Sequence, residues 1–294
     1  MANVVTSAET NLIKAENLKR AREIEFFKLF GQDGVTKLME ALGTTRKVPM
    51  QEGTTLYVYE MSGTLASGSV PEGEIIPLTQ IVQTKTPVGE ITLQKFRKAS
   101  SAESIMKSGY NTAVVETDKK LVSLIQKDIR KGFFDFLGEI TSTTSVTGNG
   151  LQAVLAQSWG QLQTLFEDDA IQPVHFVNPL DIADYLATAS ITMQTAFGMN
   201  YIEDFLGLGR VILSSQVPAK TVYSTAQDNL ILYYLTMGGD VASALKLSTD
   251  ATGLVGINSG YLNEERAQVE SLVAYGIDLL VEYAAGVVVG TINP

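Results

Sequence analysis

The chain predicts an α+β protein organised around one long helix and one long β-hairpin. Three features carry that reading. Residues 111–139 hold Leu121, Ile125, Ile129, Phe133 and Phe136 on one helical stripe. Residues 61–90 are punctuated by Gly63, Gly68, Gly73, Gly89, Pro71, Pro77 and Pro87, with β-branched Ile75, Ile76, Ile81, Val82, Thr84 and Thr86 between them. The second half alternates short apolar runs with short helical patterns.

Residues 6–30 predict an amphipathic helix. Thr6 and Glu9 suit a capping box, and Leu12, Ala15, Lys19, Arg22 and Phe26 recur at helical spacing. Ile13, Leu18, Ile24, Phe27 and Phe30 widen the stripe, Glu16 and Arg20 pair at i,i+4, and Gly31 is the stop. Two readings stand for it: a helix packed on its own domain, or a terminal arm docked on another subunit. A shorter helix follows over Val35–Leu42, ended by Gly43. Thr55–Tyr59 alternates as a strand.

The 61–90 segment reads as two long, twisted strands with irregular ends. It has few large apolar residues, so it builds no core of its own and must lie on something else. Its β-branched content argues against plain disorder. Ile91–Arg97 reads as a strand and Ala102–Lys107 as a short helix before Ser108-Gly109. The 111–139 helix would span roughly 40 Å, longer than a small domain needs. Asp118, Lys119, Lys127, Asp128, Arg130, Lys131 and Asp135 fall mostly on its solvent or partner side. Thr141–Gly150 reads as a loop or junction.

Beyond it, Trp159–Asp168 is helical, with Trp159 as a packing anchor at its start. Val174–Val177 is a strand, and Asn178-Pro179 caps and opens a helix over Leu180–Ala187. Val211–Ser214, Thr221–Ser224 and Asn229–Leu235 are strands, and Asp240 caps a helix reaching Leu247. Two apolar strands close the chain, Gln268–Leu280 (bent at Gly276) and Gly286–Ile292.

Composition narrows the chemistry. Without cysteine there is no disulfide, thiolate nucleophile or Cys-ligated metal site. A single histidine, His175, leaves little scope for His-dependent catalysis, and as a strand residue among apolar neighbours it reads as core or interface. Ser104-Ile105-Met106-Lys107 matches the S-x-x-K of serine acylases, but the companion S-D-N and K-T-G motifs are missing. A serine-type hydrolase using Ser104 and Lys107 is thus the weakest function class. Gly207-Leu208-Gly209 and Gly238-Gly239-Asp240 read as turns, since neither has the strand, helix and Lys-Ser/Thr context of a nucleotide site. Glu167-Asp168-Asp169 and Glu264-Glu265 lack the spacing of calcium ligands. No catalytic, cofactor-binding or metal-binding residue is assigned.

The net charge of −10 is unevenly placed. Residues 1–160 carry 18 Lys/Arg against 17 Asp/Glu, and residues 161–294 carry 4 against 15. An acidic second half repels nucleic acid and anionic membrane, so a chain enclosing DNA would do so without gripping it. The apolar Ser271–Ile292 stretch is broken by Asp278 and Glu282 and does not read as a membrane span.

Taken in order, the elements resemble the major capsid proteins of tailed bacteriophages, whose Hong Kong-97-type fold is shared with encapsulins and herpesvirus shells. Val70-Pro71-Glu72-Gly73-Glu74-Ile75-Ile76-Pro77 looks like that family's extended loop. Lys95-Phe96-Arg97-Lys98 followed by the Glu103–Gly109 turn and the 111–139 helix is similar to the strand entering its spine helix. Phe176-Val177-Asn178-Pro179, a helix, and Arg210-Val211-Ile212-Leu213-Ser214-Ser215 look like its axial domain.

The resemblance implies an N-terminal helical arm (1–45), a peripheral domain (46–60 and 91–148) with its spine helix, an extended loop (61–90), an axial domain (149–236), and a return through C-terminal strands (237–294). It implies self-assembly through pentamers and hexamers into an icosahedral head in the host cytoplasm, with double-stranded DNA inside. The partners it implies are other copies, a portal protein and a separate scaffolding protein, since the body follows the 6–30 helix almost at once. Intersubunit contacts are expected at Glu72, Glu74 and Lys85 in the loop, Arg97 on the following strand, and Arg20 and Phe26 on the N-terminal helix. Lys85 has no identifiable acceptor, so no covalent cross-link is expected. An encapsulin-like compartment keeps the same fold and changes only the cargo.

Overall fold

The computed structural model describes residues 39, 41–44, 46–140, 143–166, 171–188, 193–196, 199–249, 253–263 and 266–293. The 6–30 helix with Arg20 and Phe26, most of the 35–42 helix, and the two acidic clusters lie outside the described residues.

In chain order the first elements are β1 (Lys47–Met50), β2 (Thr55–Thr64), β3 (Gln80–Glu90), β4 (Gln94–Ser101) and α1 (Ala102–Tyr110). A π-helical segment, Asn111–Glu116, leads into α2 (Thr117–Glu139). Then come β5 (Thr144–Asn149), α3 (Leu151–Leu165), β6 (Pro173–Val177), α4 (Pro179–Thr188), β7 (Gln194–Ala196), β8 (Met199–Ile202), β9 (Arg210–Leu213), β10 (Thr221–Ala226) and β11 (Leu230–Leu235). The chain closes with α5 (Gly239–Leu245), β12 (Ser248–Thr249), β13 (Val255–Asn263), β14 (Gln268–Tyr275), β15 (Ile277–Val281) and β16 (Val287–Asn293).

The residues gather into two compact units. One comprises the described parts of Asp33–Leu93, Leu124–Thr236 and Gly276–Pro294; the other comprises Gln94–Ser123 with the described parts of Met237–Tyr275. Helix α2 begins in the second and ends in the first.

The larger unit is built on a mixed seven-stranded sheet in the order β5-β16-β10-β6-β9-β8-β7. Its core joins Leu151, Val154 and Leu155 of α3 to Val177, Ile182, Ile202, Phe205, Val211, Leu213 and Val222, all buried. Gly290 of β16 lets α3 lie on the sheet: a Cβ there would meet Val154 Cγ1 at 2.3 Å. Of the predicted stripe on α2, Ile125, Ile129, Phe133 and Phe136 are buried and Leu121 is half-buried, and Leu137 is buried beside them. Phe133 and Phe134 meet Phe176 edge-on at 5.2 and 5.5 Å, a favoured geometry for aromatic rings. A three-stranded sheet, β1-β11-β15, and the hairpin β2-β3 complete this unit. The smaller unit holds a four-stranded sheet, β12-β13-β14-β4, in which β4 and β14 pair in antiparallel register from Gln94↔Tyr275 to Ser101↔Gln268.

Several expectations are corrected. Gln268–Leu280 is two strands in different sheets, not one bent strand. Gly276 separates them, where a Cβ would lie 2.5 Å from Leu235 Cδ1. Thr141–Gly150 contains a strand, β5, which has little apolar patterning of its own and is ordered by parallel pairing with β16. The helix expected over Trp159–Asp168 is α3, so Trp159 sits mid-helix and is 37% exposed; Leu151, Val154, Leu155 and Leu162 do the anchoring. β4 begins at Gln94 and not at Ile91, because Ile91 is buried and exchanges backbone hydrogen bonds with Gly53 and Thr54. Asp240 caps nothing: Gly238 is the cap residue of α5, and Asp240 lies within the first turn. Asp118 is buried and not solvent-facing, because Lys98 Nζ reaches its Oδ1 at 2.5 Å. Strands β1, β7, β8, β12 and β13 are ones that periodicity does not signal.

Candidate assembly surface

The long hairpin begins earlier than its Gly/Pro pattern suggests. β2 and β3 pair from Thr55↔Glu90 to Thr64↔Gln80, with a bulge between Leu56 and Tyr57. Only its root enters the core: Leu56 and Val58 are buried, whereas every residue of β3 is exposed. The bend between the strands is shaped locally. Gly73 takes a φ of 90°, Glu74 N–H donates to Pro71 O at 3.2 Å, and Ala66 N–H donates to Thr79 Oγ1 at 3.2 Å. Left-handed backbone of this kind favours glycine.

Among the described residues, none covers the large apolar side chains of the tip. Leu65, Ile75, Ile76, Leu78 and Ile81 are 73–95% exposed. Contiguous exposed apolar side chains on a folded chain mark contact surfaces. Glu72 and Glu74 sit among them, also exposed. Lys85 lies on the returning strand with its Nζ 4.7 Å from the Tyr57 ring centre, a cation–π contact across the hairpin. At the root a groove of about 220 Å³ is lined by Val58, Tyr59, Glu60, Thr86, Phe136 and Glu139.

Arg97 has a partner within its own chain. Its Nη2 donates to Glu270 Oε1 at 3.0 Å, and Asn263 Nδ2 donates to the same oxygen at 3.1 Å. Glu270 is buried while the Arg97 side chain stays 54% exposed, so this guanidinium anchors one end and presents the other. Sequence reading missed the pair because its members are 173 residues apart. The hairpin belongs to one compact unit and Arg97 to the other.

The remaining candidates resolve into structure. Ser104 and Lys107 lie exposed on α1, and Ser104 N–H is capped by Ser101 Oγ at 3.2 Å. His175 is fully buried in β6, opposite Ser224 of β10. Its Nε2 faces Leu208 O at 3.2 Å and its Nδ1 lies 2.7 Å from Ser224 Oγ. A carbonyl can only accept, so Nε2 carries the proton and Nδ1 accepts from the serine hydroxyl. Burial holds the imidazole pKa down to about 4, and it is therefore neutral at pH 7. Gly209, in the turn after Leu208, approaches Pro173 so closely that a Cβ would lie 2.5 Å from Pro173 O. Among the described residues no group of three or more His, Asp or Glu could hold a metal ion, and no helix is long and apolar enough to cross a membrane.

No family model matches the sequence, and no curated protein matches it. Solved structures do match, at low identity and nearly full length. The virus-like particle from Pyrococcus furiosus is 14% identical, with a TM-score of 0.51 over 93% of this chain and 97% of that one. The capsid of an empty GTA particle is 11% identical, with a TM-score of 0.53 over 87% and 90%. The capsid of cyanophage P-SCSP1u is 7% identical, with a TM-score of 0.52 over 100% and 93%. The chain therefore has the fold of shell-forming proteins. That fold is the Hong Kong-97 type, as the order of its elements predicts.

Proposed function

We propose that this chain is the major capsid protein of a tailed bacteriophage, assembling with copies of itself into an icosahedral head around double-stranded DNA. The observation that carries the reading is the hairpin: a chain with a shell-protein fold projects a tip whose large apolar residues are 73–95% exposed. Leaving them in water is unfavourable by roughly 25 cal/mol per Å² of apolar surface, and a neighbouring copy removes that surface from water.

In this reading Glu72, Glu74 and Lys85 meet charges on an adjacent subunit, and the outward side of Arg97 serves a separate contact. Residues 61–90 act as the extended loop, 149–236 as the axial domain around five- and six-fold axes, and α2 as the spine of the peripheral domain. The acidic second half keeps enclosed DNA from adhering. A scaffolding protein and a portal are the natural partners, the virion is the destination, and no enzymatic step is required. Negative-stain microscopy of the purified protein, alone and after incubation in host lysate, tests the reading. Closed shells of uniform size are expected. A protein that stays monomeric under both conditions overturns it, and shells that co-purify with a cargo enzyme instead of DNA move it to the compartment class.

A further inference from the structure

The entrance to the long helix is built in an unusual way. Asn111–Glu116 is π-helical, with α-helical backbone on its far side at α2. A short π segment inside a helix amounts to one extra residue held in a widened turn. On its near side α1 is interrupted at Gly109, whose φ of 79° and ψ of 155° are not helical.

The widened turn is tied down by side chains from the neighbouring sheet. Lys98 of β4 places its ammonium 2.9 Å from Val114 O, 2.6 Å from Thr117 Oγ1 and 2.5 Å from Asp118 Oδ1. An ammonium has three donors, and these three acceptors lie together at this one junction. Ser100 Oγ, two residues along the same strand, donates to Ala113 O at 2.7 Å, and Ser271 Oγ of β14 lies 3.4 Å from Asp118 Oδ1. Thr117 Oγ1 lies 2.9 Å from both Ala113 O and Val114 O. Val114 O, which also accepts the Thr117 backbone N–H, and Ala113 O are thus both bonded by side chains of β4. Lys98 is only 16% exposed and Asp118 5%, so the network works at low dielectric.

We propose that this junction is a two-register switch, with Lys98 as the latch that selects the π register and Gly109 as the hinge that takes up the difference. With the latch released, the extra residue passes out of the turn and 111–116 becomes α-helical. The backbone on the Gly109 side then turns by about 100° and shifts by about 1.5 Å relative to α2, one residue of helix. Bistable, side-chain-gated elements of this size are what conformational switches are made of. The proposal concerns the single chain and does not depend on the shell reading.

Hydrogen exchange on the purified full chain tests it. Removing Lys98 alone would strand a buried carboxylate, so both charges are replaced together, as Lys98→Met with Asp118→Leu. Amides of 111–118 are expected to exchange at least about tenfold faster, while those of 125–139 stay within about twofold. Deleting Val115 in that background removes the extra residue and should restore slow exchange over the junction. Unchanged exchange at 111–118, equal acceleration along the whole helix, failure of the deletion to restore protection, or loss of folding in the charge-free pair would each overturn the switch.

Discussion

Lowering the pH should destabilise the larger unit through one residue. His175 is held neutral by burial, with its pKa brought from the ordinary 6.5 down to about 4. The direction follows from linkage. Between those two values the unfolded chain binds a proton that the folded chain refuses, so stability falls as pH falls. It is complete above about 6.5, declines by about 1.4 kcal/mol per pH unit below that, and levels off near the folded value of about 4. Moving from about pH 7.5 to pH 5 should therefore remove about 2 kcal/mol through His175 alone. Urea denaturation of the wild-type chain and of His175→Gln at both pH values isolates this contribution, because carboxylate titration is common to both. The wild type should lose about 2 kcal/mol more than the variant across that interval. A difference under about 0.5 kcal/mol would show that the imidazole is charged or hydrated in the folded chain, and the burial argument would fail.

Two further outcomes follow from geometry. Glu72→Lys with Glu74→Lys, on exposed tip positions, should leave the thermal midpoint of the monomer unchanged but raise the concentration needed for assembly about tenfold, as two exposed ion pairs of ~0.5–1 kcal/mol each would predict, measured by sedimentation. Normal assembly would remove the hairpin carboxylates from the contact. Gly209→Ala should destabilise by about 2–4 kcal/mol in urea denaturation, because the residue has a φ of 121° and its Cβ would lie 2.5 Å from Pro173 O. A neutral result would mean that the β8–β9 turn shifts away from Pro173.

Some of this protein was legible residue by residue. The 3.6-residue stripe through Ile125, Ile129, Phe133 and Phe136 predicts a long helix, because a side chain at that spacing must face one way, and all four are buried. Asn178-Pro179 predicts a helix start for an equally local reason, and Asn178 Oδ1 accepts Leu180 N–H at 2.9 Å. The Gly- and Pro-punctuated stretch after Tyr59 predicts a hairpin with no core of its own, since it has too few large apolar residues to build one, and β3 is exposed throughout.

What tertiary structure alone decided is pairing over distance. β5 carries almost no apolar pattern and is a strand only because β16, more than a hundred residues later, supplies its partner. Arg97 gained Glu270, His175 gained Ser224, and Asp118 moved from an expected solvent face to a buried ion pair with Lys98. The π-helical turn before Thr117 has the same origin: its widened backbone is held by Lys98 and Ser100, side chains of a different element. Periodicity reports which face of a segment is apolar. It carries no information about which polar group will be brought opposite another, and that is settled when the sheets close.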